Sequence, residues 1–279
     1  MKTAVIMCTG SYYSPWTPYT IASTYGIGDF MVVVNAGFDL SNPSLEVTDV
    51  PLKQVSRDIE ELDPEGKIIE VTDVSRLKRK LPLMSQKVAN ELKLEKWYDL
   101  RGRNMTLASE TAYDEGAEMV LRIDTDQVVY RDALGLRGRT DPLILYQYEF
   151  QGDLYHLSVP GPSDPFNDSV YLYPIHKDDW YIGGLAPMIR ADRKSCYDMH
   201  SAHLRQCNPI GLSEEECYKH FRDRFLFHEW SNNYAEFTNE LFERADQMAK
   251  EALKRKGRPT DVPPPECCLT GPKRYMEEI

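Results

Sequence analysis

Residues 101–130 read RGRNMTLASETAYDEGAEMVLRIDTDQVVY, and the order of elements in this stretch decides the fold class. Residues 105–116 place Leu107, Ala108, Thr111 and Ala112 on one side at helical spacing and stop on Gly116, which predicts a helix. Residues 119–123 form a short apolar run, the pattern of a strand buried on both faces, and the run ends on Asp124-Thr125-Asp126. A helix that feeds a buried strand is the repeating unit of an open α/β sheet. Such sheets bind ligands beyond the carboxyl ends of their strands, so the two carboxylates stand where chemistry is expected.

Toward the N-terminus the same alternation continues. Residues 4–8 and 30–34 are short apolar, β-branched runs that predict buried strands. Between them, residues 15–25 carry Pro15 and Pro18 near the start and Gly26 past the end, the punctuation of a helix. Residues 68–71 predict a third strand, and residues 82–94, with Leu83, Val88 and Leu92, a further helix. Past Tyr130 the rhythm weakens. Residues 143–150, 170–173 and 188–190 read as strands, and residues 195–206 and 213–225 as helices, the second opened by a Ser213-x-x-Glu216 capping box. Residues 234–255 give the longest helix expected. From Gly257 the chain holds five prolines, which predicts a loosely packed extension. The reading therefore divides the chain into a half built by residues 1–135, a second half over 136–256 and a Pro-rich tail over 257–279.

Composition narrows the function classes. A chain of 279 residues has room for two domains, or one large α/β unit with an appendage. With 33 basic and 44 acidic residues the net charge is −11, which argues against binding to nucleic-acid backbones through counterion release. The longest apolar run, residues 30–34, falls far short of the ~20 residues of a membrane helix. The apolar stretch after Lys2 is too short for a secretory leader, so a cytoplasmic location is expected. Cys8, Cys196, Cys207, Cys217, Cys267 and Cys268 contain no CxxC pair, so reduced thiols are the default. Sharing of a zinc ion by Cys196, Cys207 and Cys217 with His203 or His220 lacks the tight spacing of zinc ribbons.

Two aspartates one residue apart at a strand end project in the same sense if the strand continues, and oxygen ligands of that kind suit Mg²⁺ or Mn²⁺ rather than zinc. The plain alternative is a turn-capping Asp beside a solvated one. The run from Arg103-Asn104 through Gly116 to Asp124-Thr125-Asp126 resembles the corresponding block of GT-A glycosyltransferases of the family 2 type, in which an apolar strand ends in a metal-binding DxD. Residues 15–39 resemble the opening helix and second strand of that class. The resemblance implies a GT-A-like three-layer α/β/α sandwich with a mainly parallel, mixed sheet. It implies a hexosyltransferase-like enzyme that moves a sugar from a nucleoside-diphosphate sugar to a sugar or other hydroxyl acceptor.

On this resemblance the donor site comprises Thr9, Gly10, Ser11, Asn35, Asp39, Arg103, Asn104 and Asp124. The metal, Mn²⁺ or Mg²⁺, falls to Asp126 with Asp124, and His228 is the candidate for a late histidine ligand. The acceptor loop maps to Trp180, Gly183 and Gly184, and Glu229 to the base that takes the acceptor proton. Two positions depart from the pattern: Asn35-Ala36-Gly37 stands where the class usually has Asp-Asp-Gly, and Trp230 follows Glu229 where an Asp is usual. Without the resemblance, Glu229 also reads as a capping or salt-bridged residue and His228 as a packed one.

Three other classes fit parts of the same stretch. Residues 123–129 suit the nucleophile strand of a haloacid-dehalogenase-type phosphatase, with Asp124 as nucleophile, although that family normally begins with this strand. A nucleotidyltransferase would need a Gly-rich, Arg-containing loop where Thr9-Gly10-Ser11 has one glycine and no arginine. A non-catalytic carbohydrate-binding module would account for the many aromatic residues without any use for a metal pair.

Overall fold

The computed structural model describes residues 1–9, 13–36, 50–73, 76, 102–159, 161–162, 170–179, 181, 194–233 and 237–279, with the backbone alone for 50–51, 194–198, 228 and 230–233. The chain is an α/β protein built on one mixed sheet. Its first strands are β1 (Thr3–Cys8), β2 (Phe30–Val34), β3 (Ile68–Val71) and β4 (Met119–Arg122). Helices α1 (Thr17–Thr24), α2 (Val50–Leu62) and α3 (Arg103–Asp114) lie among them in sequence. Then come β5 (Gln127–Val129), a 3-10 turn (Arg131–Leu136), β6 (Leu143–Leu157), β7 (Tyr171–Pro174) and β8 (Lys194–Cys207). The chain closes with α4 (Glu214–Asn233), α5 (Asn239–Lys254), the short strand β9 (Arg258–Pro259), α6 (Glu266–Thr270) and α7 (Pro272–Glu277).

The sheet order is β3-β2-β1-β4-β7-β6-β8-β5, with β9 added beside β6. Strands β3, β2, β1 and β4 run parallel; β7 enters antiparallel between β4 and β6, and β5 pairs antiparallel with β8. The period of two in β1 and β2 sets both cores. Val5, Met7, Met31 and Val33 face Ile21 of α1 and Val55, Ile59 and Leu62 of α2. Ala4, Ile6, Val32 and Val34 face Met105, Leu107, Ala108 and Ala112 of α3. Strands buried on both faces must be apolar at every position, which is why these runs stood out in the sequence.

Several expectations need correction. Residues 195–206 are not a helix: they lie in β8, hydrogen-bonded to β6 on one edge and, over Ser201–His203, to β5 on the other. Pairing with strands far away in sequence overrides a polar composition that carries little strand propensity. The helix expected over 213–225 runs on to Asn233 and, at 20 residues, is longer than α5, which covers 16. Its capping box does form: Ser213 N–H donates to Glu216 Oε2 at 2.8 Å and Glu216 N–H to Ser213 Oγ at 3.3 Å. Helix α5 starts later than expected, at Asn239, because Thr238 caps it by accepting from Leu241 N–H at 3.2 Å.

The C-terminal segment is also no loose extension. Cys267, Cys268 and Tyr275 are buried with Trp16 and Ala22 of the α1 region, and α7 packs on α1. Its prolines act locally, Pro272 opening α7 behind Gly271, whose φ of 85° is a conformation that L side chains rarely adopt. Gly152 in β6 has a similar requirement: its φ is 83°, and an added Cβ would lie 2.4 Å from the carbonyl oxygen of Arg255. The helix expected over 82–94 and the strand over 188–190 fall outside the described residues. Among the described residues, no helix is long and apolar enough to cross a membrane.

Candidate functional site

Strand β4 lies between β1 and β7 and stops one residue short of the carboxylates. Ile123 N–H still bonds to Ile6, after which the chain turns: Gln127 N–H donates to the Asp124 carbonyl at 3.1 Å, and Asp124 N–H donates to Gln127 Oε1 at 2.8 Å. The turn is held from both flanks. Thr20 and Ser14, at the start of α1, donate to the Thr125 carbonyl, and Leu204 N–H of β8 donates to the Asp126 carbonyl at 2.8 Å. A continuing strand would send both carboxylates the same way. The turn gives them different neighbours.

Asp124 belongs to the sheet. Arg122, two residues earlier on the same side of β4, has no exposed surface, and its Nη2 reaches both carboxylate oxygens at 2.8 and 2.7 Å. The hydroxyls of Tyr173 and Tyr181 meet close by; burial and their mutual contact push the Tyr173 phenol far up, while burial carries Tyr181 to about 12, with the Arg122 charge opposing both. Tyr181 N–H in turn donates to Thr106 of α3 at 3.0 Å.

Asp126 faces a second set of groups. His203 Nε2 of β8 lies 3.7 Å from its Oδ1. Burial works to raise the pKa of this carboxyl, but His203 and the charges of Arg224 and Arg205 outweigh it and hold the group well below the usual carboxylate range. Asp126 is therefore an ionised carboxylate at any physiological pH. His220 of α4 is affected in the opposite sense: burial and Arg224 push its pKa down to about 4, against the pull of Asp126, so it is neutral near pH 7.

The other residues singled out in the sequence fall as follows. Thr9 and Asn35 follow β1 and β2 on the same carboxyl edge as Asp124. Both are buried: Thr9 Oγ1 donates to Asn35 Oδ1 at 3.1 Å, and the Asn35 amide donates to Leu52 O, Ser56 Oγ and Glu70 Oε1. Asn104, in the first turn of α3, donates to the Ala36 carbonyl at 3.0 Å, next to Arg103. These polar atoms tie the ends of β2 and α3 together beneath the edge. Glu229 does not cap a helix; it lies within α4, with Arg244 Nη2 at 3.8 Å from Oε1. Gly10, Ser11, Asp39, Trp180, Gly183 and Gly184 lie outside the described residues, as does the side chain of His228.

Among the described residues no group of three or more His, Cys, Asp and Glu side chains is placed to hold a metal ion. The donor set that the site does offer is one carboxylate, Asp126, with one imidazole, His203. Of the two, the carboxylate is the donor that suits a hard cation such as Mg²⁺ or Mn²⁺, whereas an imidazole is more typical of softer metals. Asp124, engaged by Arg122, is less suited to direct ligation. His203, Arg205, His220 and Arg224 had no motif to announce them; the signal available was a run of alternating residues in 201–205, legible only if that stretch is read as a strand. Compared with models of known protein families and with curated proteins, the sequence gives no match.

Proposed function

We propose that the protein is a metal-dependent glycosyltransferase with a GT-A-like sandwich, moving a sugar from a nucleoside-diphosphate sugar to a hydroxyl acceptor. The observation that carries this reading is the placement of Asp126. It is an ionised carboxylate beside an imidazole, at the carboxyl edge of a strand between β1 and β7, in a mixed sheet whose β1 and β2 are covered by helices on both faces. Asp126 and His203 would hold the cation, which when bound offsets the negative charge of the leaving diphosphate.

The chain's own residues do the rest. Arg122 fixes the Asp124 carboxylate at the floor of the site, where an acceptor of hydrogen bonds can orient the hydroxyls of a ribose or sugar. Glu229 is the candidate for the base that removes the acceptor proton, with Arg244 Nη2 3.8 Å from its Oε1. Trp180, Gly183 and Gly184 supply the acceptor loop in this reading, and Gly10, Ser11 and Asp39 complete the donor side.

The test is a thermal-shift panel of UDP, GDP and CDP with and without Mn²⁺. A ligand that binds only the native state at 100 times its Kd stabilises it by about 2.7 kcal/mol. At least one nucleotide should raise the melting temperature in a Mn²⁺-dependent way, and Asp126→Asn should abolish that rise while leaving the unliganded protein folded. A Mn²⁺-linked rise that survives Asp126→Asn overturns the assignment, as does turnover of p-nitrophenyl phosphate, which the phosphatase reading requires.

A further inference from the structure

The apolar cluster that holds Trp16, Val128 and Phe150 also takes in Tyr130 and Tyr148, and at those two residues it stops being closed. Tyr130 follows β5, four residues beyond Asp126 and so about 13 Å from it at the rise of a strand. Three neighbouring strands place a ring each at this end of the sheet: Tyr148 in β6, His200 in β8 and Tyr130 just past β5. Tyr148 and His200 are stacked with centroids 5.3 Å apart, and Tyr130 stands across both, at 73° to Tyr148 and 82° to His200. Rings set nearly at right angles make a corner rather than a flat platform.

The corner opens into a cleft of about 620 Å³, a size usual for small-molecule sites. Residues 260–263 form the facing wall, and that wall is fixed in place. Strand β9 pairs with the end of β6, Thr260 N–H donates to the Tyr155 carbonyl at 3.1 Å, and the Tyr130 hydroxyl donates to the Pro263 carbonyl at 2.9 Å. Asp132 holds a ring: its carboxylate accepts from His200 N–H at 3.1 Å and lies 2.8 Å from Nδ1 of the same residue. Asp261 has no such task. Among the described residues its carboxylate makes no hydrogen bond or ion pair, and no lysine, arginine, asparagine or glutamine lines the cleft.

Aromatic faces carry partial negative charge, and a carboxylate beside them adds a full one, so the cleft attracts a cation. A bare metal ion gains little from rings and finds no group of three ligating side chains among the described residues. A sugar needs donors as well as acceptors, and the side chains that usually supply them are not in the lining. A methylated ammonium fits both features, with methyl groups against the rings and a diffuse charge near the acid. We propose that this cleft binds a small molecule bearing a quaternary ammonium group, held in the corner of Tyr130, Tyr148 and His200 with Asp261 as counter-ion. The inference does not depend on the metal reading of Asp126.

The experiment titrates choline into the full chain and follows its methyl resonance by ligand-observed NMR. The comparison ligands are its neutral carbon analogue, in which a tert-butyl group replaces the trimethylammonium, then phosphocholine and glucose. Choline should bind at least about tenfold more tightly than the carbon analogue, since charge is what distinguishes them. It should also bind more tightly than phosphocholine, whose phosphate would meet the two carboxylates. Tyr148→Leu and Asp261→Asn should each weaken choline by about three- to thirty-fold, while Tyr148→Phe, which keeps the ring, binds as wild type. Asp261 lies at the surface, so Asp261→Asn decides should Tyr148→Leu fail to fold. Equal affinity for choline and its carbon analogue overturns the proposal, as does tighter binding of glucose, tighter binding of phosphocholine or no binding of choline at all. Choline affinity unchanged in Asp261→Asn and in a folded Tyr148→Leu overturns it too, by placing the cation elsewhere.

Discussion

Replacing Arg122 by Met would remove one half of the ion pair beneath the site while roughly keeping the volume of the buried stem. Arg122 has no exposed surface and Asp124 retains only 12% of its side-chain exposure, so neither charge can be rehydrated without disturbing β4. Breaking a buried pair by deleting one partner typically costs about 3–5 kcal/mol, because the remaining charge is left uncompensated. The slight exposure of Asp124 places Arg122→Met near the lower end, roughly 3 kcal/mol, a large share of the 5–15 kcal/mol typical of whole domains. Asp124→Asn should cost a comparable amount by stranding the guanidinium. The double variant Arg122→Met/Asp124→Asn should recover much of the loss, giving a coupling energy of about 2 kcal/mol or more in a double-mutant cycle. Urea unfolding followed by far-ultraviolet circular dichroism measures all four proteins, with a constant m value confirming that the same surface is exposed. A coupling energy below about 0.5 kcal/mol would refute the claim that Arg122 holds Asp124, and with it the separation of the two aspartates into different roles.

Acid should destabilise the protein through His220. Its native pKa of about 4 lies below the ordinary value of 6.5, so the unfolded chain binds the proton first; stability is complete above about pH 6.5 and is lost as pH falls toward 4, by roughly 2 kcal/mol at pH 5. Urea midpoints at pH 7 and pH 5 should separate less in His220→Gln than in the wild type, and an unchanged separation contradicts the burial argument. Glu229→Gln should leave nucleotide binding near wild type and slow sugar transfer by about 10² to 10⁴, the usual share of a general base, and an unchanged rate sends the search elsewhere. Tyr275→Ala should cost about 3–5 kcal/mol by opening a cavity between α7 and α1, and a loss under 1 kcal/mol in urea unfolding would restore the view of a loosely attached tail.

What the sequence made legible follows from where each residue's partners lie. Strand β2 coincides with residues 30–34, because a strand covered on both faces writes an unbroken apolar run; β4 begins at the residue expected, and β3 coincides with 68–71 although it is a half-buried edge strand that contains Glu70. Helix α2 was open to the same reading: Val55, Ile59 and Leu62 recur at helical steps and face β1 and β2. The charged residues between them obscure that rhythm: Lys53, Arg57, Glu60 and Glu61 fill the solvent side of the same turns, while Asp58 is buried and accepts from the Tyr13 hydroxyl at 2.8 Å.

Strand β8 is the opposite case, and it explains why only half of the candidate site was visible. Beside the site its core-facing residues are Ala202 and Leu204, while His203 between them is polar and lies against Asp126 rather than in a core. The alternation in β8 spans only residues 201–205, and the strand's true partners lie some 50 to 75 residues away in β6 and β5. The two aspartates were found because a strand end in an open sheet is a position that local pattern can locate. His203, Arg205, His220 and Arg224 reach that position only through non-local pairing and helix docking, so the groups that tune Asp126 are those on which local periodicity is silent. The electrostatic character of the site is therefore a property of the β8 and α4 contacts and not of the DxD sequence alone.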